Sequence, residues 1–384
     1  MKKISIFLTT ILFVMTGCGE GKQSTDELII VDVTKSYSTK KELILQDFMD
    51  VEYVALETNR DFVNQGVVLD IGKKYILIRN RKDDGDIFVY DRTGKAIRKI
   101  NRRGQGNEEY ARGSLVFLDE DNEEMLVNDT NKRKFFVYDL YGNLKRSFNH
   151  KEDPEAFAYR EAFNNDRDNL ICHDQYDENI SFVLLSKQDG SITKEIKIPF
   201  KERKSIGYLT GDYIMMPIGP YNNIISFNGD WILSEHSSDT VYAFLPDSSL
   251  RPFLVRTPSI QSMDPEVFLI VRLLSDRYYF METIKNIFNS ETGSGFTKTF
   301  FVYDKQENDF FGYTVYNGDY SIKKEIYMNA LSPVNREIEL CQSLEPFQLI
   351  ESYKKGELKG ELKEIAAKLS EEDNPVIMLV KQKK

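Results

Sequence analysis

The chain has 384 residues, a formal net charge of −10 and three cysteines, so it is long enough to bury a core without disulfide staples. The acidic balance argues against nucleic acid as a partner and against a polybasic grip on anionic lipid. Aromatic residues are abundant (21 Tyr and 25 Phe against one Trp), which suits packed β-sheet.

Lys2 and Lys3 precede an apolar run from Ile4 to Val14, too short to span a bilayer but of the right length for a secretory leader. Residues 1–17 are therefore expected to be a signal peptide. The stretch VMTGC, ending at Cys18, resembles the lipobox of bacterial lipoproteins. That resemblance implies lipidation of Cys18, and two or more acyl chains make a stable anchor where one is marginal. It also implies a Gram-negative cell envelope, with Gly19 rather than Asp favouring the outer membrane. Loss of the leader moves the charge to −12. Residues 18–46 are polar and weakly patterned and are expected to form a flexible tether. Cys172 and Cys341 are expected to be free thiols in the core.

From residue 47 to 384 the chain repeats. VEYVALET (51–58) alternates as a strand, and then units of strand, turn, strand, loop, aromatic strand, turn, strand follow one another. IFVYDRTGK (87–95) and FFVYDLYGN (135–143) are two copies of one strand and turn. Phe88, Phe136, Phe182, Val241 and Phe301 hold equivalent places, at spacings of 48, 46, 59 and 60 residues. Four short strands per unit predict an all-β fold, a β-propeller with four-stranded blades. The 334 residues from Val51 to the end, at about 56 per blade, predict six of them. The sixth must come from the C-terminal region, where ELKGELKEIAAKL has helical spacing and Asn374-Pro375 precedes the strand VIMLV. A short helix in that blade, and ring closure by VEYVALET, are the expectations.

The unit MLVNDTNKRKFFVYDLYGN resembles an NHL-type repeat. More broadly, YVALET, RRGQGNEEY, the VYD..G strands and DNPVIMLVKQK resemble the exported six-bladed β-propeller lipoproteins. Asn107 stands where that family commonly has proline. The resemblance implies fold and export, not a particular activity.

With strands lettered A to D in each blade, the A-B and C-D turns are short. The long connections (101–113, 201–222 and 286–295 among them) fall at B-C or D-A positions, which share one face. Elaborated loops on a rigid scaffold are where binding usually resides. The ends of the B strands bring Arg79, Asn80, Asn128, Asp129, Cys172, His173, Asp174, Glu235, His236 and Glu282 toward that face. Oxygen ligands there would suit Ca²⁺ on the axis, although Asn and Asp at this register also cap the B-C turn through their own backbone. His150, His173 and His236 are the only histidines, and they come from different blades. In NRRGQGNEEY, Arg102 and Arg103 offer two guanidiniums for an anion, or partners for Glu108 and Glu109. Arg79, Arg102, Arg103, His173 and His236 are thus the candidate ligand contacts.

No Gly-x-Ser-x-Gly elbow is present, and no chain is left over for a hydrolase domain. The expectation is a non-catalytic binding scaffold for a glycan, peptide or envelope protein. The alternative is a lactonase- or lyase-like enzyme with a divalent metal on the axis.

Overall fold

The computed structural model describes residues 28–82, 84–113, 115–151, 159–210, 213–217, 221–289, 295–329 and 338–383. The signal peptide and Cys18 lie outside the described residues. Three N-terminal strands come first: β1 (Ile29–Asp32), β2 (Lys40–Ile44) and, after the short helix α1 (Leu45–Phe48), β3 (Met49–Ala55).

Six small antiparallel sheets follow in the order the repeat requires. Blades 1, 2 and 3 run from Val67 to Asn101, Leu115 to Asn149 and Glu161 to Ile196, each with four strands in sequence order. Blade 4 spans Ile224–Thr257 and blade 5 spans Val267–Tyr316. The described strands of blade 6 are Leu340–Leu344, Val376–Gln382 and β3, in that spatial order. The VYD strands are sealed on both faces: in Lys134–Asp139 the four central residues are buried, because each blade is sandwiched between neighbours. The outermost strands alternate instead, as in Leu144–Asn149. Two blade-to-blade stitches fix the innermost strands. Leu118 of blade 2 donates its N–H to Asp70 of blade 1 (2.7 Å), and its carbonyl accepts from Asn164 of blade 3 (2.8 Å).

The repeated VYD..G stretch now has a cause. Asp91 and Asp139 accept the N–H groups two and four residues on, which folds the C-D turn, and Gly94 and Gly142 close it at φ +84° and +87°. These glycines also touch the outer strand of the preceding blade. A Cβ on Gly94 would lie 2.1 Å from the Ala55 carbonyl oxygen, and one on Gly142 would lie 2.7 Å from Ile100. Because Ala55 belongs to β3, β3 is the outer strand of blade 6.

Ring closure takes the expected form. β3 pairs antiparallel with Val376–Gln382, from Met49 opposite Gln382 to Ala55 opposite Val376. The C-terminal helical stretch differs from expectation in being two helices, α2 (Pro346–Lys354) and α3 (Gly360–Ala366). Gly356 and Gly360, both at positive φ, break the run, and Leu362 still packs into the core. Both helices lie in the connection between Leu344 and Val376, on the face of the B-C loops.

The expected tether is corrected over its described part. β1 adds in parallel to the outer strand of blade 4 and β2 to that of blade 5. Val31, Val33, Leu45 and Phe48 are buried. Lys41 Nζ bonds Asp304 and Glu307 (2.7 and 2.5 Å), and Gln46 bonds Asn317 and Asp319. Residues 29–48 therefore strap blades 4 and 5 to blade 6. Cys172 and Cys341 form no disulfide; Cys172 is buried and Cys341 half-buried. No described helix is long and apolar enough to cross a membrane.

Candidate functional site

The first strand of blade 3 begins with Glu161, directly opposite His173 at the end of the second strand. The glutamate reaches across to blade 4, where Oε1 accepts the Ile224 N–H (2.8 Å) and Oε2 accepts Asn223 Nδ2 (3.0 Å). The His173 ring lies between two carboxylates. Nδ1 is 3.8 Å from Glu161, and Nε2 is 3.7 Å from Glu235, which follows the second strand of blade 4. Both distances are longer than a direct hydrogen bond. Arg203, from the connection between blades 3 and 4, donates Nη1 to Glu235 (3.0 Å) and Nη2 to the Asp177 carbonyl.

That connection also contains a hairpin, Gly207–Thr210 with Tyr213–Pro217, which the sequence reading treated as loop. It reaches blade 5, where Gly207 N–H meets Asn286 Oδ1 at 3.4 Å. At both ends of 286–295, also expected to be loop, the strands run on, the second strand of blade 5 to Asn289 and the third from Gly295. Arg272 sits at a β-bulge in the first strand of blade 5 and bonds Glu282 at 2.7 Å, with both side chains buried. The Tyr221 ring covers the Arg272 guanidinium at 4.5 Å, and His236 lies edge-on between Tyr221 and Phe268, 6.3 Å from each. Side chains of blades 3, 4 and 5 thus converge on the face that carries the long connections.

The charges there are unevenly set. Burial raises Glu161 above the usual carboxylate range, outweighing His173 and the two Asn223/Ile224 donors. Burial would also raise Glu235, but His173, Arg203 and the Ser237 N–H outweigh it and hold that carboxylate well below the usual range. Burial pushes the His236 imidazole down to about 4, so it is neutral near pH 7. Several buried polar atoms have no hydrogen-bond partner among the described residues: His173 Nε2, Arg203 Nε, Asn223 Oδ1, His236 Nε2, Arg272 Nε and Glu282 Oε2. Native interiors rarely leave such groups unpaired, and each one costs about 1–3 kcal/mol. A concentration of donors and acceptors in one place is what a polar ligand, or water it displaces, would satisfy.

Of the five candidate contacts, His173 and His236 are brought together here, and Arg79, Arg102 and Arg103 are not. Arg102 Nε bonds the Gly142 carbonyl (2.5 Å) and Arg103 Nε the Ala111 carbonyl (3.3 Å), so neither pairs with Glu108 or Glu109 through these nitrogens. Glu109 instead accepts the Gly106 N–H at 2.9 Å. Arg79 ends the second strand of blade 1 and keeps a buried Nε without a partner. Asp129 and Asp174 cap their B-C turns through Asn131 and Lys132, and through Tyr176 and Asp177. His150 packs on Phe135 at 4.6 Å, and burial pushes it down to about 4.

Sequence reasoning missed Glu161, Arg203, Tyr221, Asn223 and Arg272. Glu161 and Asn223 begin or precede innermost strands, and the repeat alignment that located the B-strand ends locates those positions too. Among the described residues, no group of three or more His, Cys, Asp or Glu is arranged to hold a metal. The opposite face carries a cavity of about 500 Å³ where the A-B turns of blades 1 to 3 meet.

A solved structure agrees with this architecture. A protein described as exported, from Bacteroides fragilis, superposes with a TM-score of 0.56 at 16% identity, over 93% of this chain and 100% of that one. A member of the DUF4221 family from Bacteroides vulgatus superposes with a TM-score of 0.48 at 12% identity, over 88% of this chain and 99% of that one. No curated protein matches the chain. At 16% identity the likeness to the Bacteroides fragilis protein is one of fold alone. The family described as "Domain of unknown function (DUF4934)" matches residues 28–381, the strap and all six blades, and the chain belongs to that family.

Proposed function

We propose that this propeller is the ligand-binding domain of an exported, lipid-anchored envelope protein. In this reading it is a non-catalytic scaffold that takes a glycan, a peptide or an envelope protein on the face of the B-C and D-A connections. The observation that carries the binding site is the set of unpaired buried polar atoms where blades 3, 4 and 5 meet. The anchor rests on VMTGC and Cys18, outside the described residues, and outer-membrane sorting rests on Gly19. Replacing Cys18 with Ser is expected to release the protein from membranes and end labelling by a radioactive fatty acid. Label that persists in the variant would contradict the anchor.

Binding is tested by thermal-shift screening of the soluble domain against neutral oligosaccharides, short peptides and divalent ions. At a hundredfold excess over Kd a ligand contributes about 2.7 kcal/mol, enough to raise Tm by a few degrees. At least one class is expected to do so in the wild type and to fail in Arg203→Ala. A wild type unmoved by all three classes, or a shift that Arg203→Ala retains in full, would contradict the site.

Glu161 and Glu235 favour a second reading, lactonase- or lyase-like chemistry, because their acidities are pushed apart on either side of His173. Turnover of a lactone panel that is lost in Glu161→Gln would separate it from simple binding.

A further inference from the structure

We propose that the mouth of the propeller axis on the A-B face is a second binding site, independent of the first, for a small organic cation that carries an apolar or aromatic part. Its cavity of about 500 Å³ falls in the range of small-molecule pockets. The apolar part of the lining comes from Phe117, Phe163 and Trp231, with Phe163 and Trp231 stacked at 5.8 Å. Trp231 is held by its indole N–H, which donates to Asn165 Oδ1 (3.0 Å), so these rings form a fixed wall.

The polar part of the lining is predominantly anionic. Asp70, Asp119, Glu120, Asp121 and Asp166 line it, against Lys73 and Arg167. Asp119 is neutralised from behind, by the buried Lys187 ammonium at 2.7 Å. Glu120 accepts the N–H groups of Lys73, Lys74 and Tyr75, and Asp166 those of Asp168 and Asn169. These donors are backbone N–H groups and bring no countercharge. Burial raises Asp166, but those hydrogen bonds outweigh it and keep the carboxyl below the usual range. Asp121 is exposed at the rim. A concave site with apolar walls concentrates this field.

A second observation points the same way. Asn164 lines the cavity, and its Nδ2 is used on the Leu118 carbonyl, but its buried Oδ1 has no partner among the described residues. An unpaired acceptor beside excess carboxylate calls for an N–H donor. With aromatic rings beside this acceptor, the cation that fits is organic, an ammonium or guanidinium. The aromatic wall accepts its hydrocarbon part and can face its charge.

The test uses phenethylamine and phenylacetate, which share a ring and differ in charge, titrated into the soluble domain by calorimetry at low salt. Phenethylamine is expected to saturate one site, and phenylacetate is expected not to bind. Asp121→Lys should weaken phenethylamine at least tenfold, and Lys73→Glu should strengthen it. Glu361→Lys, an exposed change on α3, should leave it unaltered. All three residues are exposed, so an unchanged Tm confirms that the variants fold. Equal binding of both probes, no saturable binding of the amine, or equal losses in Asp121→Lys and Glu361→Lys would overturn the proposal. None of these outcomes bears on ligand binding at the junction of blades 3 to 5.

Discussion

Deletion of residues 49–55 is expected to abolish cooperative folding of the propeller. β3 buries Met49, Tyr53 and Val54 and supplies the outer strand of blade 6. The segment carries three buried apolar side chains at about 1.5–3 kcal/mol each. Their sum is on the order of 10 kcal/mol as an upper estimate, comparable to the whole net stability of a typical domain. The deletion also bares Val376–Gln382 as an edge and opens the ring. Deleting 29–44 removes both strands of the strap but leaves the ring closed, so it should lower Tm by less and preserve a single transition. Calorimetry of the two variants decides. A 49–55 deletion that still melts in one sharp transition near the wild-type Tm would contradict closure by β3. A 29–44 deletion that leaves Tm unchanged would contradict the strap.

The second large effect lies in the candidate site. Arg272→Ala leaves the Glu282 carboxylate, which is fully buried, without its 2.7 Å partner. Breaking one half of a buried pair costs about 3–5 kcal/mol, whereas exchanging both halves for apolar groups is near neutral. Arg272→Ala should therefore lose several degrees of Tm, and Arg272→Met with Glu282→Leu should recover most of them. If the recovered double variant no longer binds the ligand found by screening, the pair serves binding. A single variant as stable as wild type would mean that Glu282 is solvated and the site open to water.

Much of the fold could be read from local pattern because a propeller repeats. FFVYDLYGN encodes a doubly buried strand, an Asp-led turn and a glycine at positive φ, and each of those requirements is local. The strap was misread for the opposite reason. ELIIVDV and KKELILQDF do alternate, but their pairing is parallel to outer strands more than two hundred residues away, and no local turn announces it. The candidate site was half legible. His173 and His236 stand at strand ends that the repeat identifies, whereas Arg203 and Tyr221 come from an insertion outside the repeat. Arg102 and Arg103 looked available because their partners are backbone carbonyls, which a sequence does not display. The loop asymmetry placed the long connections on one face correctly, yet short turns also enclose a cavity, because three of them meet around the axis.

Hydrogen-exchange footprinting of the propeller, with the ligand that gives the largest shift in the screen, tests the central claim most directly. Slowed exchange is expected in residues 201–206, 221–223 and 233–238, which carry Arg203, Tyr221, Asn223, Glu235 and His236. Residues 72–74, 119–123 and 164–168, in the turns of the other face, should be unaffected by that ligand. Protection confined to those turns, with no change around Arg203 and His236, would contradict the assignment of function to the face of the long connections.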